Sequence, residues 1–294
     1  MKVALIGHGS MGKKHLNVIN SIDNLEVAAI VDPLLEPGEN NYSDIQELID
    51  SSVDIDFAIV ATPTTYHYEC ALSLIRNGMH VLIEKPVAAT LLQAQQIHAE
   101  AAKYEAKVAV GHIERFNPAI VALRNDLQEQ DVITCNIKRI SPYPARIQDI
   151  GVKLDLGIHD VDLVRYITGK EVKNYHCTCS KVNHPEREDT ALFYFNLGNT
   201  SATILNSWMS PFRERKIDVM TEDHYYKIDL MTQSVAKYSI MQSNSYGITD
   251  LYINRTNALQ DQTIAFINFI ETGDIGDLAS LEDATIALEY VLGD

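Results

Sequence analysis

The chain opens with the stretch Val3-Ala4-Leu5-Ile6-Gly7-His8-Gly9-Ser10-Met11-Gly12, and this stretch decides the fold. The apolar run 3–6 predicts a buried strand, the glycine-spaced segment 7–12 a tight turn, and residues 13–21 a helix. A second apolar run, 25–31, predicts another buried strand, which ends at Asp32. Strand, turn, helix, strand and acidic residue follow one another in the order of a dinucleotide-binding unit.

Each glycine of this turn has a separate physical reason. Gly7 permits the tight turn, Gly9 lets the backbone approach a pyrophosphate, and Gly12 lets the helix pack close to the strand. Ser10 and Met11 lie at the predicted helix N-terminus, where unpaired N–H groups can bind phosphate. These five residues are the predicted phosphate-binding part of the chain.

Asp32 follows Gly12 by twenty residues. A carboxylate in that position accepts a hydrogen bond from a ribose 2′-hydroxyl and repels a 2′-phosphate, so NAD is predicted rather than NADP. The glycine pattern by itself also occurs in ordinary turns. A second alternative is a domain of the same fold that has lost its cofactor and serves as a scaffold.

Length, charge and hydropathy narrow the class of protein. With 294 residues, 46% of them hydrophobic and 22% charged, the chain is long enough for two globular domains. A net charge of −16 argues against nucleic acid and anionic membranes as partners. No apolar run approaches the ~20 residues that span a bilayer, and the N-terminus enters a strand rather than a signal peptide. A cytoplasmic location is therefore predicted.

The four cysteines predict reduced thiols. Cys70, Cys135, Cys177 and Cys179 are widely spaced except for the last two, whose Cys-Thr-Cys spacing suits alternate positions of a strand. Neither a disulfide framework nor a metal site is indicated.

The pattern of elements changes in the middle of the chain. Up to about residue 112, strands at 57–61, 79–83 and 107–110 alternate with helices, which predicts a parallel sheet with helices on both faces. From about residue 131, the segments typical of antiparallel strands are 131–140, 171–182, 190–196, 201–208, 216–220 and 225–230. They are interrupted by one helix near 156–168 and followed by helices near 258–271 and 281–292. We predict two domains, 1–118 and 119–294, joined by a helix near 118–128.

Residues that follow the parallel strands are the first candidates for chemistry, because ligands bind outside the carboxyl ends of such strands. Thr62-Pro63 follows the third strand, either as a simple helix start or as a loop beside the cofactor. Glu84-Lys85-Pro86 follows the fourth. A lysine at the end of a buried strand is costly unless it faces an opening or a partner, and it can polarise a hydroxyl or carbonyl oxygen.

A second candidate pair lies in the later part of the chain. Asp155 and His159 are four residues apart, so on one helix their side chains would share a face, whereas Asp160 and Asp162 would point elsewhere. A lone histidine on a helix is more often structural than catalytic. A nearby carboxylate and a lysine from another domain would make it a proton acceptor.

Together these motifs resemble the Gfo/Idh/MocA oxidoreductase family over the whole chain. The resemblance implies a Rossmann domain, followed by an α+β domain with a large, open, mostly antiparallel sheet that serves substrate binding and oligomerisation. It also implies that Lys85, Asp155 and His159 meet at the nicotinamide. His159 would act as general base on a sugar hydroxyl, Lys85 would steady the oxygen, and Asp155 would orient the substrate or His159. The cofactor would further contact Thr62, Pro63, His67, Glu84 and Lys85.

Segments 111–118 and 139–152 resemble the branch of this family that oxidises the 3-hydroxyl of UDP-N-acetylglucosamine and related nucleotide sugars. Arg115, Arg139 and Arg146 are cations beside the predicted cleft of an otherwise acidic protein, which favours an anionic substrate. With Asn117, Asp155 and His159 they form the predicted substrate-binding set. The alternative is that individual arginines pair with Glu114 or Asp149.

Two other functions remain open. The chain could be a dehydrogenase of a free sugar or inositol, or a non-catalytic NAD-sensing regulator, although a regulator has no need of Lys85, Asp155 and His159 together. An open sheet with one uncovered apolar face, to which Leu192, Tyr194, Ile204 and Trp208 are assigned, predicts a homodimer or homotetramer. The chain ends soon after the last predicted helix, without the short further segment expected in this family.

Overall fold

The computed structural model describes residues 1–36, 38–128, 130–144, 150–241 and 245–293. They form two compact units. The first comprises residues 1–113 and 257–288, and the second comprises residues 114–256 together with the last residues of the chain.

The first unit is built on a six-stranded parallel sheet. Its strands are β1 (Lys2–Ile6), β2 (Glu26–Val31), β3 (Asn41–Tyr42), β4 (Phe57–Val60), β5 (His80–Glu84) and β6 (Val108–Gly111), in the spatial order β3-β2-β1-β4-β5-β6. This is the Rossmann order, in which the direction of winding reverses between β1 and β4. The two central strands carry buried side chains such as Leu5 and Ile59, both fully inaccessible. The sheet therefore brings the ends of β1, β2 and β4 to one edge.

Helices connect these strands: α1 (Ser10–Ile19), α2 (Ile45–Asp50), α3 (Thr64–Arg76) and α4 (Leu91–Lys103). Two of them start at side-chain caps. The Asp44 carboxylate accepts the N–H of Glu47 at 2.9 Å, and the Thr90 hydroxyl accepts that of Gln93 at 3.3 Å. No side chain caps α1, whose N-cap is Gly9. Its first turn is left open toward the carboxyl end of the sheet.

The second unit follows a 3₁₀ turn at Ile113–Phe116 and begins with α5 (Pro118–Leu127). Its eight-stranded sheet has the order β14-β13-β12-β11-β7-β10-β9-β8. The strands are β7 (Thr134–Ile140), β8 (Asn174–Ser180), β9 (Thr190–Asn196), β10 (Ser201–Ser207), β11 (Glu214–Met220), β12 (His224–Asp229), β13 (Ser234–Ile240) and β14 (Tyr246–Asp250). All neighbours are antiparallel except β7 and β10, which are parallel. A π-helical turn at Lys153–Gly157 leads into α6 (Ile158–Thr168).

The last two helices, α7 (Ala258–Thr272) and α8 (Leu281–Leu292), correct the predicted domain division. The prediction placed everything after residue 118 in one domain, but residues 257–288 belong to the first unit. Phe266 of α7 stacks edge-on against Phe57 of β4 with ring centroids 5.6 Å apart, and Val110 of β6 donates to the Ala279 carbonyl. These two contacts attach the segment 257–288 to the parallel sheet.

The fold class is confirmed, with details that periodicity did not give. Strands β3, β13 and β14 were not predicted, because β3 has two residues and β13 and β14 lack a clean alternation of apolar and polar residues. Among the described residues, no helix is long and apolar enough to cross a membrane.

Candidate functional site

The glycine turn of the first unit has the geometry that a bound pyrophosphate needs. Gly7 has φ +96°, and a Cβ there would lie 2.8 Å from the backbone of Ala61. A Cβ on Gly12 would collide with the carbonyl oxygen of Gly7, whereas around Gly9 the space is open to beyond 4 Å. Two glycines are therefore required by protein contacts, and the third leaves a gap that faces the uncapped N-terminus of α1.

A cleft of about 700 Å³ extends from this turn across the ends of β1, β2 and β4. Its walls include Gly7, Gly9, Asp32, Thr62 and Pro63, all predicted from the sequence as cofactor contacts. The sequence reasoning missed other wall residues that lie just before α2 or on α3, which are Ser43, Asp44, Tyr66, Glu69, Cys70 and Ser73. Only the three-dimensional return of these helices to the strand ends brings them to the cleft.

Asp32 is held in place by the backbone around it. The N–H of His8 donates to its Oδ2 at 2.7 Å, and the N–H of Leu34 donates to its Oδ1 at 2.9 Å. Each carboxylate oxygen keeps a further lone pair for a ribose hydroxyl. Asp44 adds a second carboxylate to the same cleft. The residues present fit NAD and disfavour a 2′-phosphate, because both charges would repel it.

His67 and Glu84 support the cleft from within the protein. His67 is 1% exposed, with Nδ1 2.8 Å from the Pro86 carbonyl oxygen and Nε2 2.9 Å from that of Thr62. Burial lowers the pKa of His67 below its ordinary value despite these two carbonyls, so the ring is neutral and donates to one of them. The predicted contact of His67 with a cofactor stays a prediction; in the structure the buried ring joins the loop at Thr62 to the loop at Pro86.

Glu84 is likewise buried, and its Oε1 lies 2.9 Å from Nε2 of His15 on α1. Its Oε2 accepts the backbone N–H of Lys85 at 3.3 Å. The Glu84 carboxylate thus fixes the backbone of the half-buried Lys85 at the end of β5. His15 was not singled out from the sequence, since its helical position gives no sign of a partner 69 residues away.

In the second unit, Asp155 lies in the π-helical turn and His159 in the first turn of α6, and both are partly exposed. Single π-helical turns inside helices occur frequently at functional sites. The expected separation of Asp160 and Asp162 from this pair is confirmed, because both are fully buried.

The buried aspartates fix the start of α6 to the rest of the unit. Asp160 accepts a hydrogen bond from Nε of Arg139 on β7 at 2.8 Å and one from Asn206 of β10 at 2.6 Å. Nη2 of Arg139 lies 2.7 Å from the same carboxylate as part of the ion pair. Asp162 accepts two hydrogen bonds from Arg115, at 2.5 and 2.8 Å. The backbone that carries His159 is therefore tied to the sheet and to the 3₁₀ turn by charge-assisted hydrogen bonds.

Two of the predicted substrate arginines are engaged by these carboxylates. Arg139 is 2% exposed and also donates to Glu114 at 2.8 Å. Burial lowers the pKa of Arg139, but Asp160 and Glu114 together raise it above its ordinary value. The alternative pairing with Glu114 is found for Arg139, whereas Arg115 pairs with Asp162, which the sequence did not suggest as its partner. Arg146 and Asp149 lie outside the described residues. Asn117 caps α5 and donates to Glu114 and to the Leu230 carbonyl.

Arg215 of β11 was missed by the sequence reasoning. It reaches Glu114 at 3.1 Å, yet 45% of its side chain is exposed. Burial and the neighbouring Arg139 lower its pKa below the ordinary value, but a guanidinium remains charged in any protein environment. Within the described part of the chain, Arg215 therefore contacts both the buried ion-pair network and solvent.

Comparisons with known proteins agree with this geometry. Residues 1–112 match the family model described as an oxidoreductase family with an NAD-binding Rossmann fold, and residues 133–227 match the GFO/IDH/MocA C-terminal domain. Within the described residues, no cluster of side chains could hold a metal ion.

The sequence relatives act on different substrates. The chain is 28% identical over 244 residues to the UDP-N-acetylglucosamine 3-dehydrogenase of Acidithiobacillus ferrooxidans, covering 81% of this chain and 77% of that protein. It is 26% identical to the rhizopine catabolism protein MocA of Rhizobium meliloti, with 61% of each chain covered. It is 29% identical over 189 residues to a myo-inositol 2-dehydrogenase of Thermotoga maritima, covering 59% of this chain and 56% of that one.

Solved structures share the fold throughout. That of the UDP-N-acetylglucosamine 3-dehydrogenase GnnA from Acidithiobacillus ferrooxidans superposes with a TM-score of 0.89 at 23% identity, covering all of this chain and 96% of that one. An oxidoreductase from Agrobacterium radiobacter, in complex with NAD⁺, L-tartaric acid and magnesium, has a TM-score of 0.86 at 18% identity, covering 99% and 94%.

Proposed function

The chain belongs to the Gfo/Idh/MocA oxidoreductase family, and from this premise we propose that it is an NAD-dependent dehydrogenase of a nucleotide sugar. The reaction is oxidation of the 3-hydroxyl of a UDP-sugar, such as UDP-N-acetylglucosamine, to the 3-keto sugar. The main observation in favour of NAD as cofactor is the position of Asp32. Two backbone N–H groups hold its carboxylate in the glycine-lined cleft. Support for the substrate comes from the relative of that activity, which aligns with 81% of this chain.

In the proposed mechanism NAD, when bound, supplies the nicotinamide that accepts the hydride. His159 takes the proton of the sugar hydroxyl at an imidazole nitrogen. Lys85 donates a hydrogen bond to the same oxygen as the carbonyl forms, and Asp155 orients His159 or the sugar. The buried hydrogen bonds of Asp160 hold the backbone next to His159 in place. The hydrogen bond to Glu84 does the same for the backbone of Lys85.

The diphosphate of a UDP-sugar requires a cation that reaches solvent. Arg139 is enclosed by Asp160 and Glu114, so we assign this role to Arg215, whose side chain is partly exposed beside the same network. Arg115, Arg146 and Asn117 remain predicted substrate contacts from the resemblance.

A second candidate is a dehydrogenase of a free sugar or inositol, which the relatives with inositol 2-dehydrogenase activity favour. A third is an NAD-binding regulator. The three differ in what they bind and in whether they turn it over.

The deciding experiment is a thermal-shift screen of UDP-N-acetylglucosamine, UDP-glucuronate, UMP and myo-inositol with NAD present, followed by an assay of NADH formation. A ligand at a hundred times its Kd stabilises the fold by about 2.7 kcal/mol, which such a screen detects. We expect stabilisation and NADH with a UDP-sugar only. NADH with myo-inositol alone would select the second candidate, and NAD binding without turnover of any ligand would select the regulator.

A further inference from the structure

The edge strand β8 carries two cysteines that the proposed reaction does not use. Cys177 and Cys179 are separated by one residue, so they project from the same face of the strand. Their sulfur atoms lie 3.7 Å apart. From this contact we propose that Cys177 and Cys179 form a reversible redox site, which a low-molecular-weight disulfide such as oxidised glutathione converts to an intrastrand disulfide.

The backbone spacing allows the bond without favouring it. Residues two apart on a strand have Cα atoms about 6.6 Å apart. Disulfides accept about 4.4–6.8 Å, so this pair lies near the upper limit. A bond at that limit is more easily reduced than one at the preferred spacing. Such a disulfide suits a site that is oxidised and reduced in turn rather than a permanent crosslink.

The position of β8 at the edge of the sheet lets the strand move enough for the disulfide to form. Within the described residues β8 pairs with β9 alone, through Cys177 opposite Phe193 and Cys179 opposite Ala191. A strand with one ladder can bend locally without breaking a second set of hydrogen bonds. The sulfur atoms can therefore approach from van der Waals contact to bonding distance by side-chain rotation and a small strand movement.

The two thiols differ in access, which assigns their roles. Cys179 is exposed and can meet an external disulfide, whereas Cys177 is half-buried. Burial and the adjacent Cys179 raise the pKa of Cys177 to about 12, and the nearby Lys153 opposes that rise. Cys179 is thus the attacking thiol and Cys177 the resolving one.

The reaction balances in two exchanges. The Cys179 thiolate attacks glutathione disulfide, forming a mixed disulfide and releasing one glutathione thiolate. Cys177, on losing its proton, attacks the Cys179 sulfur and releases the second glutathione. The protein loses two electrons and two protons, and the glutathione disulfide is reduced to two glutathione molecules.

The remaining cysteines serve as internal references. Cys135 is fully buried, and burial raises its pKa to about 12. Burial likewise raises the pKa of Cys70 to about 11. Thiolates are the reactive species, so both react more slowly than an exposed thiol.

The test incubates the folded protein with oxidised glutathione, blocks the remaining thiols by alkylation, and analyses tryptic peptides by mass spectrometry. Cleavage after Lys173 and Lys181 places both cysteines in one peptide, 174–181. We expect this peptide to lose two hydrogens and escape alkylation, and dithiothreitol to reverse the change. Cys70 and Cys135 should remain alkylated.

Single-serine variants supply the matched control. Cys177→Ser should accumulate a mixed disulfide with glutathione on Cys179, because the resolving thiol is missing, and Cys179→Ser should react far less. A wild-type peptide that keeps both thiols, stops at the mixed disulfide, or is oxidised only between two chains would overturn the proposal. Neither readout depends on catalytic activity, so the result is independent of the proposed reaction.

Discussion

At Asp32, a single carboxylate joins the glycine turn to the loop that follows β2. Its oxygens accept the N–H groups of His8 and Leu34, so the carboxylate is oriented before any ligand arrives. Leu34 is 92% exposed beside the same cleft. An arginine at position 34 could therefore reach a 2′-phosphate without disturbing the protein core.

We expect the double variant Asp32→Ser, Leu34→Arg to weaken NAD binding by about 10- to 100-fold, the worth of a hydrogen bond to a charged acceptor. NADP binding should improve, because the 2′-phosphate then meets a guanidinium in place of a carboxylate. Titration calorimetry with both cofactors measures the change, with Leu34→Arg alone as control. A wild-type protein that binds NADP as tightly as NAD would contradict the role of Asp32.

His159 and Lys85 are predicted to act on one hydroxyl. His159→Asn should leave the Kd for NAD unchanged and lower kcat by roughly 10²- to 10⁴-fold, the usual contribution of a positioned general base. Lys85→Met should cause a similar loss, and the double variant should lose little more than either single one, because both groups serve the same proton transfer. Steady-state rates of NADH formation decide this. Unchanged turnover in His159→Asn would remove it from the mechanism.

On the scale of elements, β7 shows how one strand serves two environments. Arg139 points into the unit and binds Asp160 of α6 and Glu114, whereas the next residue toward the N-terminus, Lys138, lies on the open face with its side chain 47% exposed. Alternation along the strand separates a buried ion-pair network from a surface pair with Glu214.

Replacing Arg139 by Met should lower the free energy of unfolding by about 3–5 kcal/mol, because Asp160 and Glu114 stay buried with less compensation. The matched variant Lys138→Met removes only a surface pair and should cost at most about 1 kcal/mol. Urea unfolding monitored by circular dichroism compares the two. Equal stability of both variants, with a raised KM only in Arg139→Met, would favour the sequence prediction that Arg139 binds substrate.

The pH dependence follows from Glu114. Burial raises the pKa of Glu114, but Arg139, Arg215 and Asn117 lower it by more than burial raises it. The pKa of Glu114 in the folded protein therefore lies below its ordinary 4.5. A carboxyl group with a depressed pKa contributes stability above its unfolded pKa and loses it as the pH falls through the folded value. Glu114→Gln should therefore be less stable than wild type at pH 7, and the difference should shrink below pH 4.5. A difference that is constant from pH 7 to pH 3 would exclude this ionic contribution.

On the scale of the whole molecule, the sheet of the second unit has a covered and an open face. Leu192 and Tyr194 of β9 are 47% and 48% exposed on the open face, whereas Ile204 and Trp208, which the sequence assigned to it, are buried. Ile204 alternates with the outward residues of β10, and Trp208 lies beyond the end of that strand. The predicted apolar patch is therefore smaller than the sequence suggested, and the exposed Tyr246 and Ile248 of β14 lie near the other edge of the sheet.

We predict that two copies of the chain pair through this open face. Light scattering at micromolar concentration should report a dimer or a tetramer, and Tyr194→Asp should shift it toward the monomer by placing a charge in the contact. Leu34→Asp, a similar change on the first unit, should leave the mass unchanged. A wild-type monomer would exclude this assembly.

The sequence predicted the parallel sheet, the open sheet and the cofactor cleft because local patterns carry them: glycine spacing, apolar runs and the acid at Asp32. It did not predict partnerships between distant residues, such as His15 with Glu84 or Arg139 with Asp160. A charged side chain has the same appearance in a sequence whether it meets a ligand or a buried counter-ion. The three-dimensional placement shows the counter-ions of Arg139, which are Asp160 and Glu114.

The return of residues 257–288 to the first unit has a consequence for biosynthesis. The parallel sheet emerges from the ribosome early, yet Phe57 and Val110 find their partners Phe266 and Ala279 only after the whole second unit has been translated. Domains generally fold as units during synthesis, the N-terminal one first. Here part of the apolar surface of the nascent N-terminal unit stays uncovered until residues 257–288 have been translated. Folding of the cofactor-binding unit is therefore completed only at the end of synthesis.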